Sequence, residues 1–121
     1  MWKYSQSTGN LYKDGKPVTK GYSGNGRTLS EGRNNPAMET VVAKGPIPRG
    51  MWRIGKPYDS KNVGPFAMPL DPIDHNAHGR TAFRIHGDNK ANNASNGCII
   101  LPRQVREAIW NSGDRLLEVV K

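Results

Sequence analysis

The sequence of 121 residues has a single cysteine, Cys98, so no intramolecular disulfide framework can brace it. It has no run of the roughly 20 apolar residues that a bilayer-spanning helix requires. Positions 1–12 lack the apolar stretch of about 7–15 residues that marks a secretory leader. With no Sec-type signal visible, three histories stay open: work in the cytoplasm, export by another route, or a signal removed beforehand. Aromatic residues are few, at 7%. Acidic residues are scarce too, ten against eighteen lysines and arginines, which leaves a net charge of +8. Such a field attracts nucleic acid, an anionic membrane surface or a carboxylate-rich cell wall alike, and it also serves plain solubility, so charge alone does not choose.

What is plentiful is punctuation. Fourteen glycines and nine prolines are too many for a helical bundle and too few for low-complexity disorder. The chain reads as one turn-rich, mostly β domain, too short for two cores. Trp2–Ser5 and Asn10–Lys13 are strand-like, with turn signals at Gln6–Gly9 and Asp14-Gly15, and Pro17-Val18 completes an N-terminal meander. Ser23–Met38 lacks apolar periodicity and reads as a long functional or surface loop. Thr40–Ala43 is a β-branched strand candidate, and Met51–Ile54 reads as another strand. Phe66–Leu70 is interrupted by prolines, which assigns it to a sheet edge. Ala82–His86 alternates, placing Phe83 and Ile85 on one face and Arg84 and His86 on the other. Pro102 opens a helix over about 102–112, with Gly113 as its C-terminal cap. Arg115–Val120 closes the chain as a strand whose Leu116-Leu117 and Val119-Val120 are apolar enough to be buried.

The chemistry concentrates around one polar loop. His86-Gly87 ends a strand, and Cys98 follows within Ser95-Asn96-Gly97-Cys98. A thiolate is the reactive form of cysteine, and an imidazole within hydrogen-bond reach supplies the base that generates it. Gly97 lets the backbone approach a substrate, and the N–H groups around Gly97 and Cys98 are candidates for stabilising a tetrahedral oxyanion. Ser95 is a candidate to orient His86 or the loop. On the residues alone, Cys98 reads equally as a small buried hydrophobe leading into Ile99-Ile100-Leu101.

Arg84-Ile85-His86-Gly87-Asp88 followed by Ala94-Ser95-Asn96-Gly97-Cys98-Ile99 resembles the signature of the L,D-transpeptidase (YkuD-like) catalytic domain. The chain is more similar still to the small L,D-transpeptidase-like effectors of type VI secretion systems. That likeness extends to Tyr22-Ser23-Gly24, Gly45–Gly50 and Gly64-Pro65 and covers most of the chain. The resemblance implies a β-sandwich-type domain with one short helix after the catalytic cysteine. It implies Cys98 as nucleophile, His86 as base and later acid, and Ser95 as the supporting member. Gly97, Asn96, Gly87, Asp88 and Arg84 are the matching oxyanion and substrate-binding candidates, with a turn-capping role the other reading of Asp88. Asn96 stands where the broad motif has a second histidine and Ile100 where it has arginine, so Arg84 is the candidate carboxylate binder. No cofactor and no metal are implied. The implied substrates are peptidoglycan tetrapeptide stems, attacked at the third residue with loss of D-alanine. The implied setting is secretion into the periplasm of a target bacterium, by a monomer restrained in its producer by a cognate immunity protein. Ser23–Met38 is then a lid or the surface such a partner grips.

Two other classes remain. His75 and His78, with His86 and Cys98, make a four-ligand zinc set on paper, though the spacing matches no finger or HExxH motif. Trp2, Tyr4, Tyr12, Tyr22, Trp52 and Tyr58 among Lys3, Lys13, Arg53 and Lys56 offer stacking faces for a non-catalytic nucleic-acid module, and a dead fold that only binds cell wall is the third case.

Overall fold

A computed structural model describes all residues, 1–121. Strands β1 (Trp2–Ser5), β2 (Asn10–Lys13) and β3 (Lys16–Lys20) form the meander read from the turn signals. Asp14 and Gly15 both have positive φ, at 49° and 84°, as the type I′ turn that matches strand twist requires. Then come β4 (Tyr22–Ser23), β5 (Gly50–Ile54), β6 (Tyr58–Ser60), β7 (Gly64–Ile73), β8 (Arg84–His86) and β9 (Ile99–Ile100). Helix α1 (Arg103–Asn111) and strand β10 (Leu116–Val120) complete the chain. The fold is mostly β with one short helix after Cys98. Its strands run in the order β3-β2-β1-β10-β5-β7-β8-β9-β4, with β6 paired to β7 outside that path.

One core of 16 buried residues draws on both halves of this sheet, from Trp2 and Tyr4 on β1 to Ile85 on β8 and Ile99 on β9. Trp52 at its centre takes the edge of Phe83 at 5.1 Å, a geometry aromatic pairs prefer. Helix α1 lays Ile109 and Arg106 against the sheet, and after its cap residue Ser112 the chain turns at Gly113, whose φ of 76° only glycine adopts freely. Arg115 stacks on Trp110 at 3.4 Å and donates to its carbonyl, which satisfies one of the helix's last acceptors.

Three expectations are corrected. Thr40–Ala43 is not a strand but a set of turns, with Val41 N–H bonded to the Met38 carbonyl and Gly45 N–H to the Val41 carbonyl. Val41 and Val42 are exposed, so their β-branching has no partner strand to pack on. The Phe66–Leu70 segment is not at an edge. It belongs to the ten-residue β7, inside the sheet, which pairs with β6 over 64–67, β8 over 68–69 and β5 over 70–73. The ladders to β8 and β5 meet at Pro69 and Leu70, where the Gly55 N–H bonds the Pro69 carbonyl at 2.8 Å and the Leu70 N–H bonds the Phe83 carbonyl at 2.9 Å. Finally, β10 is one-faced: Leu117 and Val119 are buried while Leu116 is exposed.

Candidate active site

The site is set by one parallel ladder. Strand β8 pairs with β9 in the register Ile85↔Ile99 and His86↔Ile100. Period-2 geometry then sends Ile85 and Ile99 into the core and puts Arg84, His86 and Cys98 on the opposite face. Those three residues line one cavity of about 350 Å³, together with Arg80, Asn96 and Gly97. Val42, Ala43 and Val63 form its apolar lip.

His86 is buried, and its Nδ1 lies 2.8 Å from the Gly87 carbonyl. A carbonyl only accepts, so Nδ1 carries the proton and the neutral ring presents an Nε2 lone pair. Burial lowers the His86 pKa, the Gly87 bond opposes that, and the cations Arg106 and Arg84 lower it further. Imidazole is therefore kept neutral, the state a general base needs. Cys98 is half-buried, and its Sγ points to the Ala82 carbonyl at 3.7 Å. Burial pushes the thiol pKa up, while Arg84, by its N–H and its guanidinium, and Arg80 pull it back. A neutral thiol and a neutral imidazole thus line the same cavity, with two arginines there whose charge favours the thiolate.

Ser95 is buried, does not line the cleft and makes no hydrogen bond to His86. Its hydroxyl donates to the Cys98 carbonyl at 2.6 Å and accepts from the N–H groups of Gly24 and Gly97, both at 3.0 Å. Of its two sequence readings, the loop-orienting one describes this geometry. The Gly97 N–H is thereby occupied, whereas the Cys98 N–H makes no hydrogen bond within the protein. Gly97 itself has φ 141°, and a Cβ there would lie 2.5 Å from Arg80 Nη2 and 3.0 Å from the Phe83 ring. Gly87 and Asp88 face a different cavity on the other side of His86. Asp88 accepts from the Tyr22 hydroxyl at 2.6 Å and from its neighbours Asn89 and Asn92, which is a loop-capping arrangement.

Sequence reasoning missed Arg80, Ser23 and Glu39. Arg80, 6% exposed, spends its guanidinium on four backbone carbonyls, those of Glu39, Pro46, Gly45 and Asn96, at 2.7–3.2 Å. It clamps the 39–46 turns to the cysteine loop. Ser23 donates to the Gly97 carbonyl at 2.8 Å and accepts from Ile47 N–H. Buried Glu39 accepts from Gln6 and from the backbone and side chain of Arg49. Burial would raise its pKa, but the Arg49 and Gln6 bonds outweigh it and hold it down to about 2. The only sequence signals were the Tyr22-Ser23-Gly24 and Gly45–Gly50 pieces, which mark close backbone packing without naming these partners.

Segment 23–38 is stapled rather than hinged. Gly24 N–H bonds Ser95, Asn25 N–H bonds the Lys44 carbonyl, and Arg33 reaches the Asn92 carbonyl at 2.9 Å. The histidines do not converge: His75 bonds Met51 and Ala77 through its two ring nitrogens, and His78 lies beside Glu39. No three His, Cys, Asp or Glu side chains are grouped to hold a metal ion. Trp2, Tyr4, Tyr22 and Trp52 are buried, so most of the supposed stacking faces are spent on packing. No helix is long and apolar enough to cross a membrane.

The family model of the Tlde1 domain matches residues 18–120. A comparison with curated proteins finds no match to the chain.

Proposed function

The chain belongs to the Tlde1 domain family, a type VI secretion effector family of L,D-transpeptidase-like type, and from that premise we propose that it is a cysteine acyltransferase of peptidoglycan tetrapeptide stems. The observation that carries this reading is the shared face of Cys98, His86 and Arg84 in one cleft, with the His86 ring held by Gly87 so that Nε2 is the free base.

In the first half-reaction, His86 Nε2 takes the Cys98 proton as Sγ attacks the carbonyl of the third stem residue. The oxyanion is met by the Cys98 N–H and by the positive field of Arg84 and Arg80. Collapse breaks the peptide bond, His86 returns the proton to the departing amine, and D-alanine leaves with a thioester left on Cys98. Arg84, which lines the same cleft and has no ion-pair partner in the protein, receives the terminal carboxylate in this reading. In the second half-reaction His86 deprotonates the acceptor, the acceptor attacks the thioester, and the thiol is regenerated. Water gives an L,D-carboxypeptidase, a free D-amino acid gives exchange, and a stem amine gives a 3,3-crosslink. The first two remove the tetrapeptide donors that a target cell needs, which suits an antibacterial toxin acting in the periplasm. A cognate immunity protein that covers the cleft is the partner this role calls for.

The test is mass spectrometry of purified tetrapeptide muropeptides incubated with the protein or with Cys98→Ala, with and without a free D-amino acid. Loss of D-alanine by the wild type alone is expected, and the product identifies the acceptor. Muropeptides left intact by both proteins would falsify the catalytic reading and leave a wall-binding one.

A further inference from the structure

On the far side of His86-Gly87 from the cysteine lies a second cavity, of about 480 Å³, between β4, β9 and the start of α1. Its walls carry four cationic side chains, Lys20, Arg33, Arg103 and Arg106, and a single carboxylate, Asp88. Asp88 is already engaged by the Tyr22 hydroxyl and the Asn92 amide and neutralises none of the four. Arg33 lies flat on the Tyr22 ring at 3.5 Å, which fixes its plane at the cavity edge. Arg103 is held loosely by Glu107 at 3.5 Å, and Lys20 is exposed without an acidic partner.

Arg106 is the informative residue. It is 94% buried, yet it has no carboxylate partner. Only its Nη1 is used by the protein, on the carbonyls of Pro65 and Phe66 at 2.8 and 3.0 Å, and its Nε has no partner at all. Its Nη2 lies against Gly87, 2.9 Å from where a Cβ would stand, so Gly87 is what leaves room for that end of the guanidinium in the cavity wall. A buried cation without a counter-charge is costly, and an oxyanion in this cavity would supply the missing one. The same cavity meets the start of α1, where the Val105 and Arg106 N–H groups bond the Pro102 carbonyl but that of Arg103 has no partner and Pro102 offers no side-chain acceptor.

We propose that this cavity is an oxyanion-binding site, taking a carboxylate or phosphate group of a ligand bound separately from the cysteine cleft. Arg106 supplies the buried charge, Arg103 and Lys20 close over the ligand from the rim, and the N–H of Arg103 at the start of α1 adds a hydrogen bond. The site does not depend on Cys98 chemistry, so it stands or falls apart from the proposed reaction.

The experiment is an amide NMR titration of the full chain with inorganic phosphate and, in a second arm, with succinate, both against sodium chloride at equal ionic strength. Saturable shifts at Gly21, Gly87 and Arg103, with an affinity on the order of millimolar or tighter, are expected for at least one probe. A tighter response to phosphate assigns a phosphoryl ligand, and a tighter response to succinate assigns a carboxylate one. The Lys20→Ala, Arg103→Ala double variant, changed only at the rim and so still folded, should bind about tenfold more weakly. Cys98→Ala should bind as the wild type does. Equal shifts with chloride, shifts spread over the whole basic surface, or an unaltered affinity in the double variant would overturn the proposal.

Discussion

At the scale of single residues, the cleft is a problem in protonation. Cys98 is held as a thiol by burial, with Arg84 and Arg80 opposing. Its alkylation by iodoacetamide should therefore rise with pH through a midpoint above that of an ordinary thiol, and Arg84→Gln should move the midpoint higher by removing a cation that favours thiolate. A midpoint unmoved by Arg84→Gln means that the guanidinium does not act on the sulfur. His86 has the opposite bias. Its folded pKa lies below the ordinary imidazole value, so on acidification the unfolded chain takes up a proton before the folded one does. The stability this represents is complete above about pH 6.5 and declines as pH falls toward the lowered folded value. Urea midpoints of the wild type should drop across that window, and those of His86→Gln should drop less. Tyr4 tests a different point: its hydroxyl is fully buried and has no hydrogen-bond partner. Tyr4→Phe removes a polar group that is already unsatisfied, so thermal stability should hold or rise by about 1 kcal/mol. A clear loss would reveal a partner, such as a water, for that hydroxyl.

At the scale of elements, the cysteine loop is held from three sides by Ser95, Ser23 and Arg80. Ser95→Ala strands two buried N–H donors, those of Gly24 and Gly97, and releases the Cys98 carbonyl. The expected cost is about 2 kcal/mol in unfolding, with a fall in kcat larger than any rise in KM, because the loop that places Sγ loosens while the cleft walls stay. Unchanged kcat in a folded Ser95→Ala would reduce Ser95 to a packing residue. The strands and helix around this loop were largely readable. Alternation in Phe83–His86, the Asp14-Gly15 turn and the Pro102 to Gly113 bounds are local signals, and local physics decides them. Cys98, His86, Arg84, Asn96 and Gly97 do line one cleft. Asp88 and Gly87 face elsewhere, because strand alternation stops at His86 and says nothing about the loop beyond. Arg80 was not readable at all. Its four partners are backbone carbonyls up to 41 residues away, and a carbonyl has no residue identity to betray it. The strand assigned to Thr40–Ala43 failed for the same reason, since buried Glu39 and the Arg80 clamp settle that segment by contacts distant in sequence.

For the whole molecule, the issue is what a net charge of +8 does on a chain whose cleft holds neutral reactants. The excess is carried by exposed residues such as Lys16, Lys20, Lys44, Arg53, Lys56 and Lys61, which lie on several different elements. A charge spread in this way acts at long range and without geometry, so it should concentrate the protein on an anionic polymer without orienting it. Screening gives the means to separate this from binding in the cleft. The Debye length is about 10 Å at 0.1 M salt and about 3 Å at 1 M, so adsorption through scattered surface charge should vanish between those limits, whereas contacts in a desolvated cleft persist. Pelleting of Cys98→Ala with isolated peptidoglycan sacculi should accordingly fall away as sodium chloride rises over this range, and it should match the wild type at low salt, since the thiol takes no part in adsorption. Retention that survives 1 M salt would place the affinity in specific contacts and leave the net charge a matter of solubility. Where adsorption is screened as expected, salt should slow turnover of intact sacculi far more than turnover of a soluble muropeptide, because only the polymer depends on the field to bring it within reach of Cys98.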